Sequence, residues 1–475
     1  MSIEYDAVIV GSGPNGLAAA ITLARAGCSV VVYEATATIG GGARSAELTL
    51  PGFLHDVCSA VHPLGIGSPF FRQLPLANHG LEWVQPKLPL VHVLDGGGAV
   101  VLNRSVSETA AQLGRDARPY RRLMASLANH SDELANELLG PMLHWPRHPF
   151  LLAKFARRGF RTATSLARRW FKEEPAKALF AGLAAHSFLA LDEMPSSAFG
   201  IVLAVFAHFE GWPMPRGGSG MLSHALAEHF KELGGEIVVN APIQALRDLP
   251  SSPITILDVA PRNFLRIADR QITKSYRTKL EAFRNAPGVF KIDYALSGAI
   301  PWTAAECAQA GTIHLGGTFD EIARAEKAVT TGSHPEQPFV LLAQPTLFDN
   351  TRAPNGKHIA WVYAHVPNGS TVDMTDRIER QIERFAPGFR QLVLARHTMN
   401  CSDLERRNWN LVGGDINGGA ADLKQLIARP ILSLCPYRTC IPGVYLCSAS
   451  TPPGGGVHGM CGFHAANAAL KDCGR

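Results

Sequence analysis

The stretch YDAVIVGSGPNGLAAAITLARAGCSVVVYEA, Tyr5 to Ala35, decides the fold. Ala7 to Val10 is an unbroken apolar run that predicts a buried parallel strand. Gly11-Ser12-Gly13-Pro14-Asn15-Gly16 makes a turn, and the alanine-rich Leu17 to Ala26 predicts a helix capped by Gly27. Ser29 to Tyr33 reads as the next strand, ending in Glu34. Glycines at this spacing allow a tight turn, close approach of backbone to a pyrophosphate, and tight packing of helix on strand. The unpaired N–H groups at the helix start then face a diphosphate. Glu34 stands where a carboxylate accepts hydrogen bonds from both ribose hydroxyls and repels a 2′-phosphate. The expected ligand is therefore a dinucleotide with a free ribose, FAD or NAD, held by Gly11, Gly13, Pro14, Asn15, Gly16, Glu34 and the adjoining Ala35.

The residues that follow favour FAD. ATATIGGGARS, Ala35 to Ser45, holds a second glycine cluster (Gly40, Gly41, Gly42) with Arg44 just beyond. An NAD dehydrogenase has no need of such an element. It is similar to the one with which glutathione-reductase-type flavoproteins contact the diphosphate and the ribityl chain, the arginine pairing with phosphate charge. Further along, an amphipathic helix over Leu222 to Leu233 and a strand over Glu236 to Asn240 return the chain to the same sheet, which places the Ile243 backbone for an adenine contact. Ile254 to Leu265 reads as another buried strand that ends in Asp258 and turns at Pro261.

A chain of 475 residues exceeds what one hydrophobic core serves. With 46% hydrophobic and 18% charged residues it is globular, and a net charge of +5 is too small to argue for nucleic acid. The nine cysteines are scattered without a C-x-x-C pair, so neither a disulfide framework nor a zinc finger is expected. The opening Met1-Ser2-Ile3-Glu4-Tyr5-Asp6 has no basic or apolar leader region, and the longest apolar run, Ala198 to Phe209, is too short for a bilayer. A cytoplasmic location is expected.

The pattern predicts an α/β protein with a discontinuous Rossmann-type FAD-binding domain, residues 1–75, 212–285 and 431–475. Residues 76–211 and 286–430 would form an α+β substrate domain with a mixed sheet and a helical cap. One segment stands apart by charge. Arg147 to Lys172, RHPFLLAKFARRGFRTATSLARRWFK, carries eight Lys/Arg and no acid, interleaved with aromatic and aliphatic residues. It reads either as the solvated face of the cap or as a peripheral contact with an anionic membrane.

The motifs VIVGSGPNGLAAAITLARAG, IGGGARSAELTLPGFLHDVCSAVHPL, GWPMPRGGSGML and GVYLCSASTPPGGGVHGMCGFHAA together resemble the phytoene desaturase-type FAD-dependent oxidoreductases, in the phytoene dehydrogenase-related branch. The resemblance covers nearly the whole chain. It implies a glutathione-reductase-like FAD domain and an apolar pocket ending at the flavin. It implies that Gly11, Gly13 and Gly16 hold the pyrophosphate, Glu34 the adenosine ribose, and Gly42 and Arg44 the diphosphate side. Gly455, Gly456, Gly459 and Met460 would then line the flavin.

Three readings of function follow. The first is an FAD-dependent oxidoreductase acting on C–C bonds of a hydrophobic, isoprenoid or carotenoid-like substrate. The second is an amine oxidase-like flavoenzyme, which would want an aromatic cage beside the flavin. The third is a non-catalytic FAD-binding scaffold at a membrane or partner surface. His55, Asp56, His62, Arg216 and His458 lie in the motifs near the expected flavin, with His62, Arg216 and His458 the catalytic candidates. His458, Cys461 and His464 recur every three residues, but on a helix the third rotates away from the first, so no metal site is expected. Oligomeric state stays open.

Overall fold

The strand Ala7–Val10 is buried at every residue, as a strand covered on both faces must be. Its parallel neighbours are Val30–Tyr33 on one side and Ile254–Leu257 on the other. Glu236–Val238 and Val444–Leu446 extend these edges, giving a five-stranded parallel sheet in the order Val444–Leu446, Ile254–Leu257, Ala7–Val10, Val30–Tyr33, Glu236–Val238. Three well-separated pieces of sequence thus meet in one sheet. The computed structural model describes residues 5–475; residues 1–4, at the start of the expected 1–75 piece, lie outside the described residues.

The first helix spans Pro14–Arg25 and begins three residues before the alanine-rich run. Proline opens it well, because the N–H it lacks would have no intrahelical partner there. This helix packs against the C-terminal helix Met460–Asp472. A Cβ on Gly462 would sit 1.8 Å from the Asn15 carbonyl oxygen, so only glycine lets the last helix press directly on the nucleotide-binding turn.

The second sheet has seven strands, in the order Val393–Met399, Gly288–Leu296, His358–Val366, Val340–Ala343, Ala310–Leu315, Leu88–Val93, Ala99–Leu102. Only the pair Ala310–Leu315 and Leu88–Val93 is parallel. Alternation along each strand sends side chains to opposite faces. Val91, Val93, Phe290 and Ile292 join Ile378, Ile382 and Phe385 of the helix Thr375–Phe385 on one side. Leu90, Leu341 and Tyr363 join the helices Glu174–Ala185 and Ser196–Phe209 on the other.

The basic segment folds as two short helices, Pro149–Gly159 and Ala163–Trp170. Phe155, Leu166 and Phe171 are buried in the cap. Arg158 is buried too, donating to the Leu123 carbonyl, and Arg168 pairs with Asp320. The most exposed apolar residues lie at the start of this segment, Trp145 just before it at 93% and Phe150 in the first turn of its first helix at 90%. Among the described residues, no helix is long and apolar enough to cross a membrane.

Candidate cofactor and substrate site

One cavity of about 1090 Å³ runs from the parallel sheet to the helical cap. At the sheet end its wall is made by Gly11, Gly13, Pro14, Asn15, Glu34, Ala35, Gly41, Gly42, Arg44 and Ile243. The two glycine turns touch, since a Cβ on Gly41 would lie 3.0 Å from the Gly13 Cα. The Glu34 carboxylate is pinned facing this end. It accepts from the Ser12 N–H and Oγ at 3.1 and 2.6 Å and from the Thr36 N–H and Oγ1 at 3.0 and 2.9 Å. Arg44 is held by the Gly41 and Arg407 carbonyls, both at 2.9 Å.

Gly16 stands one step behind the wall, and its N–H donates to Asp258 Oδ2 at 3.1 Å. Asp258 was legible only as the end of a strand. The structure puts it beside Gly11 and Gly13 on the cavity wall, where burial and nearby Glu34 raise its carboxyl to about 7.

Farther in, Gly455 and Gly456 lie on the wall beside His62 and His458. Both histidines are pushed down to about 4 by burial and are neutral at pH 7. Ser219 donates its hydroxyl to the Ser59 carbonyl at 2.6 Å, so His62 Nε2, 2.8 Å from Ser219 Oγ, must be the donor of that pair. His458 Nδ1 accepts from the Met460 N–H at 3.0 Å, which leaves the proton on Nε2. Asn417 Nδ2, a buried donor without a protein partner, belongs to the same part of the wall.

Several expectations need correction. Gly459 and Met460 do not reach the cavity: Gly459 packs against Phe71 and Ala18, and the Met460 side chain enters the core of the parallel-sheet domain. Arg216 lies on the surface, paired with Glu82 at 2.7 Å and near Asp349, because the loop that carries it turns outward before the helix Gly220–Glu232. Asp56 is wholly buried away from the cavity, paired with Arg352 at 2.9 Å and accepting from the Ser219 N–H at 2.7 Å. His55 lies beside it, 2.7 Å from Thr49 Oγ1. Cys461 donates to the Thr451 and Gly454 carbonyls, and His464 Nε2 meets the Leu139 carbonyl at 3.0 Å.

Beyond the glycines the wall becomes apolar, with Leu138, Leu152, Phe155, Phe199, Val202 and Leu203 from the cap. Trp212, Trp361, Tyr363, Thr312 and His186 close it on the side of the mixed sheet. No local sequence signal marks these, because they come from different strands and helices.

The donor set fits FAD. Two side-chain-free turns leave room for a diphosphate, Glu34 matches a ribose, and an unpartnered Asn417 amide suits a polar ring edge. A parallel dinucleotide-binding sheet joined to a mixed sheet around one such cavity defines a two-sheet dinucleotide-binding fold.

Comparison with known proteins agrees. A family described as an NAD(P)-binding Rossmann-like domain matches residues 9–74. Pyridine nucleotide-disulfide oxidoreductase domain-containing protein 2 of Rattus norvegicus is 26% identical over 99% of this chain and 94% of its own length. The lycopene-forming phytoene desaturase of Pantoea ananas is 24% identical over 97% of this chain and 98% of its own. Among solved structures, an oxidoreductase from Methanosarcina mazei superposes with a TM-score of 0.66 at 15% identity, covering 98% of this chain and 99% of that one. Cyclohexylamine oxidase from Brevibacterium oxydans gives 0.61 at 16% identity, covering 99% and 100%. The structural likenesses show the fold. The full-length sequence likenesses show the resemblance to the phytoene desaturase-type oxidoreductases, in the branch of the rat protein.

Proposed function

We propose that the protein is an FAD-dependent oxidoreductase that dehydrogenates a hydrophobic, isoprenoid-like substrate. The observation that carries this reading is the apolar chamber continuing directly from the glycine-lined end of the cavity into the cap. Bound FAD supplies the hydride acceptor. The chain's own residues hold the nucleotide at Glu34 and Arg44, exclude water with the cap, and align the substrate along Phe155, Phe199 and Leu203. His62 and His458, neutral and tautomerically set, contribute an acceptor nitrogen (His62 Nδ1) and an N–H donor (His458 Nε2) rather than charge.

An amine oxidase-like reading has one observation in its favour: Trp361 and Tyr363 lie with ring centroids 5.1 Å apart on the cavity wall, which Trp212 also lines. Against it, the wall carboxylates nearest the cap are occupied. Glu137 accepts from His144 and from the Arg147 and His148 N–H groups, and Asp415 from the Ala286, Asn417 and Gly418 N–H groups. Their lone pairs are already engaged, which leaves an ammonium group fewer acceptor positions there. Anaerobic mixing of the FAD-loaded protein with isoprenoids and with amines separates the readings. Bleaching of the flavin absorption by isoprenoids supports ours; bleaching by amines alone rejects it. Reduction by dithionite only would leave a non-catalytic scaffold.

We further propose that the rim of the cap meets a membrane surface. Met142, Pro149 and Phe160 are exposed and also line the cavity, and Trp145, Phe150, Arg147 and Arg157 stand exposed beside them. Amphipathic rims of this kind let a lipid-soluble substrate enter without crossing water. The protein would then be cytoplasmic with peripheral attachment.

A further inference from the structure

Where the helix Glu174–Ala185 ends, His186 lines the cavity and leads into a buried group of histidines. Its Nε2 lies 3.0 Å from Nε2 of His314. Behind His314 is His92, whose Nε2 lies 2.7 Å from the Gly317 carbonyl oxygen. Gly182 makes room for both rings: a Cβ there would stand 2.5 Å from His314 Nδ1 and 3.3 Å from His92 Nδ1. His314 and His92 are completely buried, and neither Nδ1 has a hydrogen-bond partner.

The protons in this chain can be placed. Burial pushes His186 down to about 3, His92 to about 4 and His314 well below the usual imidazole range, so each ring carries one N–H. His92 must donate from Nε2, since a carbonyl oxygen only accepts. For His314 there are two choices. A proton on Nδ1 would bury an N–H with no acceptor; a proton on Nε2 leaves only a bare lone pair at Nδ1 and donates to His186. Buried N–H groups without acceptors are the rarer and costlier defect. His314 therefore donates from Nε2, His186 accepts on Nε2, and the single proton of His186 lies on Nδ1. Among the described residues no hydrogen bond reaches that nitrogen, and of the three histidines His186 is the one on the cavity wall.

We propose that His186 is a specificity-determining hydrogen-bond donor that selects a substrate carrying an acceptor oxygen, such as a ketone, over a plain hydrocarbon of the same length. An N–H donor in an apolar chamber costs free energy until a ligand satisfies it, whereas a hydrocarbon would leave it unpaired. His314 and His92 act as positioning residues that fix the tautomer. The proposal deepens the dehydrogenase reading and rests on it for the isoprenoid part of the substrate only.

The test uses the FAD-loaded protein and two matched pairs delivered in detergent: farnesylacetone against an isoprenoid hydrocarbon of similar length, and 2-octadecanone against octadecane. Binding is read from perturbation of the flavin visible spectrum. The expected result is a ketone preference of about 5–10-fold in wild type, one net hydrogen bond's worth. His186→Leu should abolish it, weakening ketone binding and relieving the penalty on hydrocarbon binding. His186→Gln, which keeps a donor, should retain part of it, and His314→Leu, which frees the tautomer, should reduce it. Wild-type and variant flavin content, measured first, controls for folding. A ketone preference seen only in the straight-chain pair would reject the isoprenoid reading and keep the role of His186. Absence of ketone preference in both pairs, or its survival in His186→Leu, would overturn the proposal.

Discussion

The backbone N–H of Gly16 is tied to the carboxylate of Asp258, 3.1 Å away, so the first turn of the nucleotide-binding helix is anchored to the end of a strand that arrives more than two hundred residues later. The same carboxylate stands where a diphosphate must come close to the Gly11–Gly13 turn.

Asp258 makes stability and cofactor retention depend on pH. Its folded-state value of about 7 lies above the ordinary 3.8, so between those values the folded protein holds a proton that the unfolded chain releases. Stability from this group therefore falls as pH rises from about 4 to about 7, by about 4 kcal/mol at most. Asp258→Asn, which still offers an acceptor to Gly16, should flatten this slope and raise stability at pH 8. Urea unfolding of the apoprotein at pH 5 and pH 8 measures it. FAD retention on dialysis should also improve at pH 8 in the variant.

Removing the pinned acid and the nearby guanidinium should empty the site. Glu34→Ala combined with Arg44→Ala should yield colourless protein with an unchanged far-ultraviolet circular dichroism spectrum; a yellow double variant would contradict the assignment of this end of the cavity to FAD.

Gly462→Ala should be among the most damaging small substitutions. Its methyl group would meet backbone rather than a movable side chain, the Asn15 carbonyl at 1.8 Å, so either the last helix or the nucleotide turn must shift. A loss of about 1–3 kcal/mol, with lower FAD content, is expected from thermal unfolding and absorbance.

Asp56 and Arg352, both fully buried, should act as structure and not as catalysts. Arg352→Met leaves a buried carboxylate unpaired and should cost about 3–5 kcal/mol. Adding Asp56→Asn removes the stranded charge and should recover part of that loss. Chemical denaturation of both single variants and the double variant decides the matter; full additivity of their costs would show that the pair is not coupled.

For the membrane contact, Trp145→Ser with Phe150→Ser should reduce co-sedimentation with anionic phosphatidylserine-containing vesicles severalfold. Arg168→Glu should change it little, because that side chain already pairs with Asp320. If wild-type protein stays in the supernatant, the rim is not a membrane contact.

The sequence by itself determined the nucleotide end. A strand, a glycine turn, a helix and an acid within Ala7 to Glu34 form one contiguous unit whose geometry follows from local rules: period, capping, and the space that glycine leaves. Gly455 and Gly456 entered through the family resemblance, and the structure puts both on the cavity wall. Tertiary structure alone decided the rest. His62, His55, Asp56 and Arg216 stood in motifs of equal promise, yet only His62 reaches the cavity, because burial and pairing depend on which distant segment arrives opposite. Asp258 and the chain His186, His314, His92 carry no local mark. Their properties come from desolvation and from partners on strands and helices far apart in sequence, and neither exists until the chain has closed around them.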